Sequence, residues 1–299
     1  MDIEQKPPWS GKKLAKLGDA IVDNTDVPSD CPTYPEVMSW HSDLCAEIAL
    51  RIGLHEPWKS YSGEMDITAR AKTIDTLREK LVREPLRLNQ VQDLAGVRID
   101  IDAPLGIQTA LSDEIRQFFG VERAEIKDIR TNPHSGYRAV HVWLRLPAGR
   151  VEVQIRTRGQ SAWANSYERL GDLVGRHIRY GSTTGSTIIR ETIAQMQGLS
   201  ESLAQAERVE QEMFETEAAI AHLNRKIDAA IAQLGHSMST EDFQALKQHQ
   251  ENARSKVAHL KNRAATQLRK YIDGLEHIQR ILDDEAQTED GDMNARIRD

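Results

Sequence analysis

A chain of 299 residues, 39% of them hydrophobic and 28% charged, has room for one full domain with an appendage or for two small domains. No apolar run approaches the length of a bilayer-spanning helix, and Met1-Asp-Ile-Glu-Gln-Lys6 lacks a secretory pattern, so the expected location is the cytoplasm, with no membrane partner. Cys31 and Cys45 alone make neither a disulfide framework nor a zinc site. The net charge of -7 comes from an acidic excess after residue 190, so it leaves room for a basic pocket in the first part.

Residues 1–33 are rich in Pro, Asp and Lys and read as an irregular arm with one short helix near Lys13–Val22. From Tyr34 to Leu54, Val37, Trp40, Leu44, Ile48 and Ile52 recur at three and four, which predicts a core-facing helix and makes His41 a packed or surface histidine. Residues 68–83 read as a strand edge or turn entering a helix, with Ile74, Leu77 and Leu81 as its buried stripe and Pro85 as its stop. Arg70, Lys72, Lys80 and Arg83 put four positive charges into this short stretch; taken alone, they are a solvated face.

Gln90–Ile101 turns into a strand, with Asp93 at its entrance, Arg98 inside it and Gly96 allowing close approach of a neighbouring backbone. A helix over Pro104–Phe119 uses Leu105, Leu111, Ile115 and Phe118. Strands follow at Glu122–Ile129, Tyr137–Leu146 and Arg150–Arg156, with Tyr137, Ala139 and His141 sharing a face of the second. A further helix is expected over Gln160–Arg176, which gives an α+β domain at 34–180 built on a mixed sheet flanked by helices.

The most informative stretch is Val151-Glu-Val-Gln-Ile-Arg-Thr157. Its apolar residues alternate with Glu152, Gln154 and Arg156, so one strand face can sit on a core while the other carries a carboxylate, an amide and a guanidinium. A polar row covered by the following Trp163 and Ala164 is costly unless it binds something, and it reads as the floor of a phosphate- and metal-handling site.

After the linker-like Gly181–Ser186, two long amphipathic patterns occupy 187–287. Gly235 stops the first, and Ser239-Thr-Glu-Asp242 approximates a capping box for the second. They predict an antiparallel helical hairpin or coiled coil that buries its stripe against another element, a second copy or an antitoxin-like partner, followed by an acidic tail at 288–299.

Four ordered blocks together resemble the synthetase domain of the RelA/SpoT alarmone enzymes, especially the small single-domain synthetases and their toxin-like relatives. They are Arg70-Ala-Lys72 with Lys80 and Arg83; Asp93-Leu-Ala-Gly-Val-Arg98; Gly136-Tyr-Arg-Ala-Val-His141; and the stretch from Val151 to Thr157 with Trp163-Ala164. The resemblance implies a nucleotidyltransferase-like fold and transfer of the β,γ-pyrophosphate of ATP to a 3′-hydroxyl of GTP or GDP. By motif position, Arg70 and Arg98 sandwich the adenine; Lys72, Lys80 and Arg83 neutralise the ATP phosphates; Asp93 and Glu152 are the catalytic pair that holds Mg²⁺, with Glu152 also able to polarise the attacking hydroxyl. On the acceptor side, Tyr137 stacks on the base, and His141, Gln154 and Arg156 line the site. The chain departs from the pattern there: Pro133-His-Ser-Gly-Tyr137 is one residue shorter than the family's usual run and lacks its lysine and asparagine, and Tyr167-Glu168 stands where a Glu-His pair is expected. The 3′ end of tRNA is therefore an alternative acceptor, and a catalytically silent scaffold is the reading from another functional class.

Overall fold

The structure is a computed structural model that describes residues 1–55, 64–181, 186–234 and 239–296. The chain divides into two units: Met1–Ala103, Ile107–Pro133 and Arg138–Arg158 form the first, and Pro104–Gly106, His134–Tyr137 and Gly159–Asp299 the second. Sequence reading put the break near residue 180; it falls at Arg158/Gly159, because the helix after the last strand packs with the long C-terminal helices.

The first unit contains α1 (Gly11–Asp23), α2 (Tyr34–Leu54), β1 (Met65–Ala71), α3 (Ile74–Arg83), β2 (Ala95–Ile101), most of α4 (Leu105–Phe119), β3 (Ala124–Asp128), β4 (Val140–Leu146) and β5 (Gly149–Thr157). The strands form one mixed sheet in the order β1-β2-β5-β4-β3, in which only β2 and β5 run parallel. Period-two alternation puts Val97, Ile99, Val142, Leu144, Val151, Val153 and Ile155 on one face, where they bury with Leu44, Ile48 and Ile52 of α2 and Leu111 and Ile115 of α4. That face is the core, and the other is the polar one.

Residues 1–33, expected as an irregular arm, are part of this unit. Ser10 caps α1, which ends on Asn24 in the left-handed region (φ 53°). Leu14, Leu17 and Ile21 bury against Leu77 and Leu81 of α3 and Leu88, Val91 and Leu94 of the following turn. Complete burial of a leucine such as Leu17 stabilises by about 1.5–3 kcal/mol, ample reason for the arm to fold down. Ile74 and Phe118, assigned to buried stripes, are instead 43% and 41% exposed, and Phe119 takes the core position. The expected strand at Tyr137–Leu146 begins only at Val140, and Tyr137 lies in a turn.

The second unit is built on α5 (Arg158–Val174), α6 (Thr187–Leu234) and α7 (Thr240–Arg296). Trp163, Tyr167 and Leu170 of α5, Ile193, Met196 and Leu203 of α6, and Leu268, Ile272 and Leu275 of α7 share one apolar cluster. Ion pairs Asp228–Lys247 (2.6 Å) and Glu217–Lys261 (2.5 Å) fix α6 and α7 as antiparallel. The Ser239 hydroxyl oxygen accepts the Asp242 N–H at 3.0 Å, as expected of the cap, whereas Gly235 and most of the Gly181–Ser186 linker lie outside the described residues. α7 continues to Arg296, so most of the stretch expected as a tail is helical. Among the described residues no helix is long and apolar enough to cross a membrane.

Candidate active site

The polar face of the sheet brings together Arg70, Arg98, His141, Glu152, Gln154 and Arg156 of the residues singled out from sequence. Strand register places Glu152 of β5 between Gly96 of β2 and Trp143 of β4, Gln154 between Arg98 and His141, and Arg156 beside Asp100. On β1, Arg70 stands opposite Gly96 and Thr68 opposite Arg98. A Cβ at Gly96 would meet the Arg70 carbonyl oxygen at 3.2 Å, so the glycine gives β1 and β2 their close approach. Arg70 and Arg98 are thus same-face diagonal neighbours, about 7–8 Å apart at the backbone. A planar ring stacked between two guanidinium groups needs about that separation.

Asp93 precedes β2 and holds two ammonium groups: Lys72 Nζ at 2.6 Å and Lys80 Nζ at 2.9 Å. Burial alone would raise its pKa, but the Lys72 and Lys80 charges outweigh that and hold it below the ordinary aspartate value. Burial opposes the Lys80 charge in turn, and Asp93 overcomes it and raises the Lys80 pKa. Arg83, on the last turn of α3, pairs with Glu84 at 2.9 Å.

Glu152 is 8% exposed, yet every partner it has is a donor or a cation. Trp143 Nε1 donates to Oε1 at 3.0 Å, His141 Nδ1 lies 3.2 Å from the same oxygen, and Gln154 Nε2 donates to Oε2 at 2.7 Å. Burial would lift the carboxyl, but His141, Gln154 and the Lys80 charge hold it down at about 2. Arg156 Nη2 donates to Gln154 Oε1 at 3.1 Å, so Arg156, Gln154 and Glu152 form a continuous polar row along β5. Asp93 and Glu152 sense each other's charge, with Lys80 felt by both.

Four supporting residues escaped the sequence reading. Gln92, buried, donates through Nε2 to the carbonyls of Leu144 (3.1 Å) and Val151 (2.9 Å), which pins the turn bearing Asp93 to β4 and β5. The Tyr34 hydroxyl donates to the Lys72 carbonyl at 3.2 Å and the Cys45 thiol to that of Arg70 at 3.5 Å, so α2 steadies the basic segment. Burial pushes the Cys45 thiol up to about 11, which keeps it a protonated donor. Trp143, with Lys127 Nζ 5.1 Å from its ring centroid, stands in the polar phase of β4 with His141 and Arg145, and that phase was readable. Nothing local marks Gln92.

Tyr137 belongs to the second unit. Its N–H donates to His134 O at 2.9 Å and the two rings lie 5.5 Å apart. Gly136, at φ 89°, sits where a Cβ would come within 2.7 Å of the Trp163 ring, and Trp163 Nε1 donates to Met196 O at 2.7 Å.

Among the described residues no three His, Cys, Asp or Glu side chains converge as a metal site. Asp93 and Glu152, both ionised, offer a hard cation two carboxylates. That suits Mg²⁺, which usually takes one or two carboxylates and completes its shell with phosphate and water.

A family model described as the region found in RelA / SpoT proteins matches residues 69–171. Uncharacterised proteins of Mycobacterium tuberculosis and Mycobacterium bovis are each 52% identical over 201 residues, which covers 67% of this chain and 72% of theirs. Among solved structures, the small alarmone synthetase 1 from Bacillus subtilis is 19% identical, with a TM-score of 0.47 over 63% of this chain and 98% of that one.

Proposed function

The chain belongs to the RelA/SpoT family, and on that premise we propose that it is an ATP-dependent pyrophosphokinase whose acceptor is the 3′-hydroxyl of GTP or GDP. The observation that carries this reading is the Lys72–Asp93–Lys80 cluster electrostatically coupled to a Glu152 held at about 2. The acceptor 3′-hydroxyl oxygen attacks the β-phosphorus of ATP and gives up its proton to solvent; the bond from that phosphorus to the bridging α,β-oxygen breaks, and AMP leaves with the electron pair. Positioning and charge neutralisation dominate such a transfer.

Arg70 and Arg98 grip the adenine between their guanidinium planes. Lys72 and Lys80 lie with Asp93 and present their charge to the phosphates, with Arg83 beside them on α3. Asp93 and Glu152 are the residues that would hold Mg²⁺ together with the phosphates, and the ion would supply neutralisation of the charge on the transferred group. His141, Gln154 and the Lys80 charge keep Glu152 ionised, so it presents a negative charge to the cation or to the acceptor hydroxyl. Tyr137 stacks on the acceptor base, and His141, Gln154 and Arg156 orient the acceptor.

The test is thin-layer analysis of γ-labelled ATP incubated with the protein, Mg²⁺ and GTP, GDP or tRNA. Label on the guanine nucleotide is the expected result. Label on tRNA alone would move the acceptor to the tRNA 3′ end, as the altered 133–137 run allows. Label on neither would leave the silent scaffold.

A further inference from the structure

The matched family region ends at residue 171, but the loop that carries Tyr137 is tied down by a residue beyond it. Ser200, 2% exposed on α6, donates its hydroxyl to the Gly136 carbonyl at 2.5 Å. The surroundings leave that loop little freedom. Gly136 is in a positive-φ conformation that an L side chain rarely adopts, and a Cβ added there would meet the Trp163 ring at 2.7 Å and the Ser200 Cβ at 3.3 Å. Trp163 is held in turn by its indole N–H on Met196 O, one helical turn before Ser200, and by stacking on Tyr167 at 4.7 Å. The next residue after Gly136 is Tyr137.

We propose that Ser200 is a positioning residue for the acceptor: α6 fixes the Gly136–Tyr137 segment through this hydroxyl and so sets where the tyrosine ring can receive a base. The proposal rests on reading Tyr137 as the acceptor-stacking residue. It gives the C-terminal helix a defined part in holding Tyr137, with Trp163 as the platform and Ser200 as the clasp.

The experiment compares full-length Ser200→Ala with wild type by amide hydrogen exchange and by steady-state transfer. Ser202→Ala serves as control, since among the described residues the Ser202 hydroxyl bonds within its own helix, to Gly198 O at 3.1 Å. Loss of one buried hydrogen bond should speed exchange at the Tyr137 amide about five-fold. The acceptor KM should rise by a similar factor while the ATP KM stays as in wild type, and Ser202→Ala should change neither. Unchanged exchange at Tyr137 in Ser200→Ala overturns the clasp, whatever the activity. Faster exchange with an unchanged acceptor KM overturns the acceptor role. Equal rises in both KM values would mark a general structural loss and overturn it as well. If the wild-type protein transfers to no acceptor, the functional reading fails and the acceptor role falls with it, while the exchange measurement still decides the clasp.

Discussion

Glu152→Gln tests both the chemistry and the electrostatics of the site. The carboxylate has two accepting ends, one facing Trp143 Nε1 (3.0 Å) and His141 Nδ1 (3.2 Å), the other facing Gln154 Nε2 (2.7 Å). An amide has one. Rotating Gln154 to accept from the new NH₂ only turns its own NH₂ toward Arg156 Nη2, now 3.1 Å from its oxygen. The donor conflict moves along β5 and does not leave it. A drop from 4.5 to about 2 in the folded state corresponds to about 3 kcal/mol at neutral pH, in the same range as leaving one or two buried donors unmatched. These are two views of the same interactions and do not add.

The pH dependence has a definite sign. The folded pKa lies below the unfolded one, so the contribution is complete above 4.5 and is lost as pH falls toward 2. Urea unfolding followed by circular dichroism should show Glu152→Gln about 3 kcal/mol less stable at pH 7 and at pH 5. The gap should narrow by roughly 1 kcal/mol by pH 3.5. Transfer should fall at least about a hundredfold, as expected when charge at a phosphoryl-transfer site is removed. Wild-type stability at pH 7, or a gap indifferent to pH, would refute the account of the carboxylate; a wild-type transfer rate would remove Glu152 from the reaction.

Asp93→Asn removes the counter-charge of Lys72 and Lys80, so calorimetry should find metal-free ATP bound at least as tightly as by wild type while transfer is lost. Weaker metal-free binding would mean the lysines do not contact the phosphates. Arg98→Ala should weaken ATP binding by about 0.5–2 kcal/mol, and an unchanged affinity would take Arg98 out of the adenine site. Truncation after Tyr180 strips Ile193, Met196, Leu203, Leu268, Ile272 and Leu275 from the cluster around Trp163. The shortened chain should therefore bind a hydrophobic dye and aggregate; a soluble, dye-silent, active product would show the hairpin to be a passive appendage.

The parts of the molecule that were legible in sequence were those governed by period. Alternation in β5 gave the core and polar faces directly, and Gly96 was recognised as a close approach for the reason the Arg70 carbonyl now supplies. Three–four spacing found α2, α4, α6 and α7, but it could not choose between adjacent apolar residues such as Phe118 and Phe119 at a helix end, where one turn faces both core and solvent. The short helix in the arm was expected and is α1, but its packing was missed because prolines and charges dominate composition while burial needs only Leu14, Leu17 and Ile21 on one side of α1. Among the site residues, charge and family spacing identified the groups that carry formal charge. Gln92, Tyr34 and Cys45 act through backbone carbonyls far away in sequence, which no local pattern encodes.

The parallel pairing of β2 with β5 has a consequence for when the site comes into being. Ala95 pairs with Val151, and α4, β3 and β4 all intervene along the chain. Parallel neighbours need such a crossover, and pairings that close long loops form late and slowly. Asp93 introduces β2 and Glu152 lies within β5, so the two carboxylates meet only across this least local seam of the sheet. During synthesis the chain up to β2 already contains α1, α2, α3 and the antiparallel β1–β2 pair, with the lysines that grip Asp93, while Glu152 is still to come. The two carboxylates come together only after the last strand has slotted into the middle, so on the proposed reading the site is assembled last.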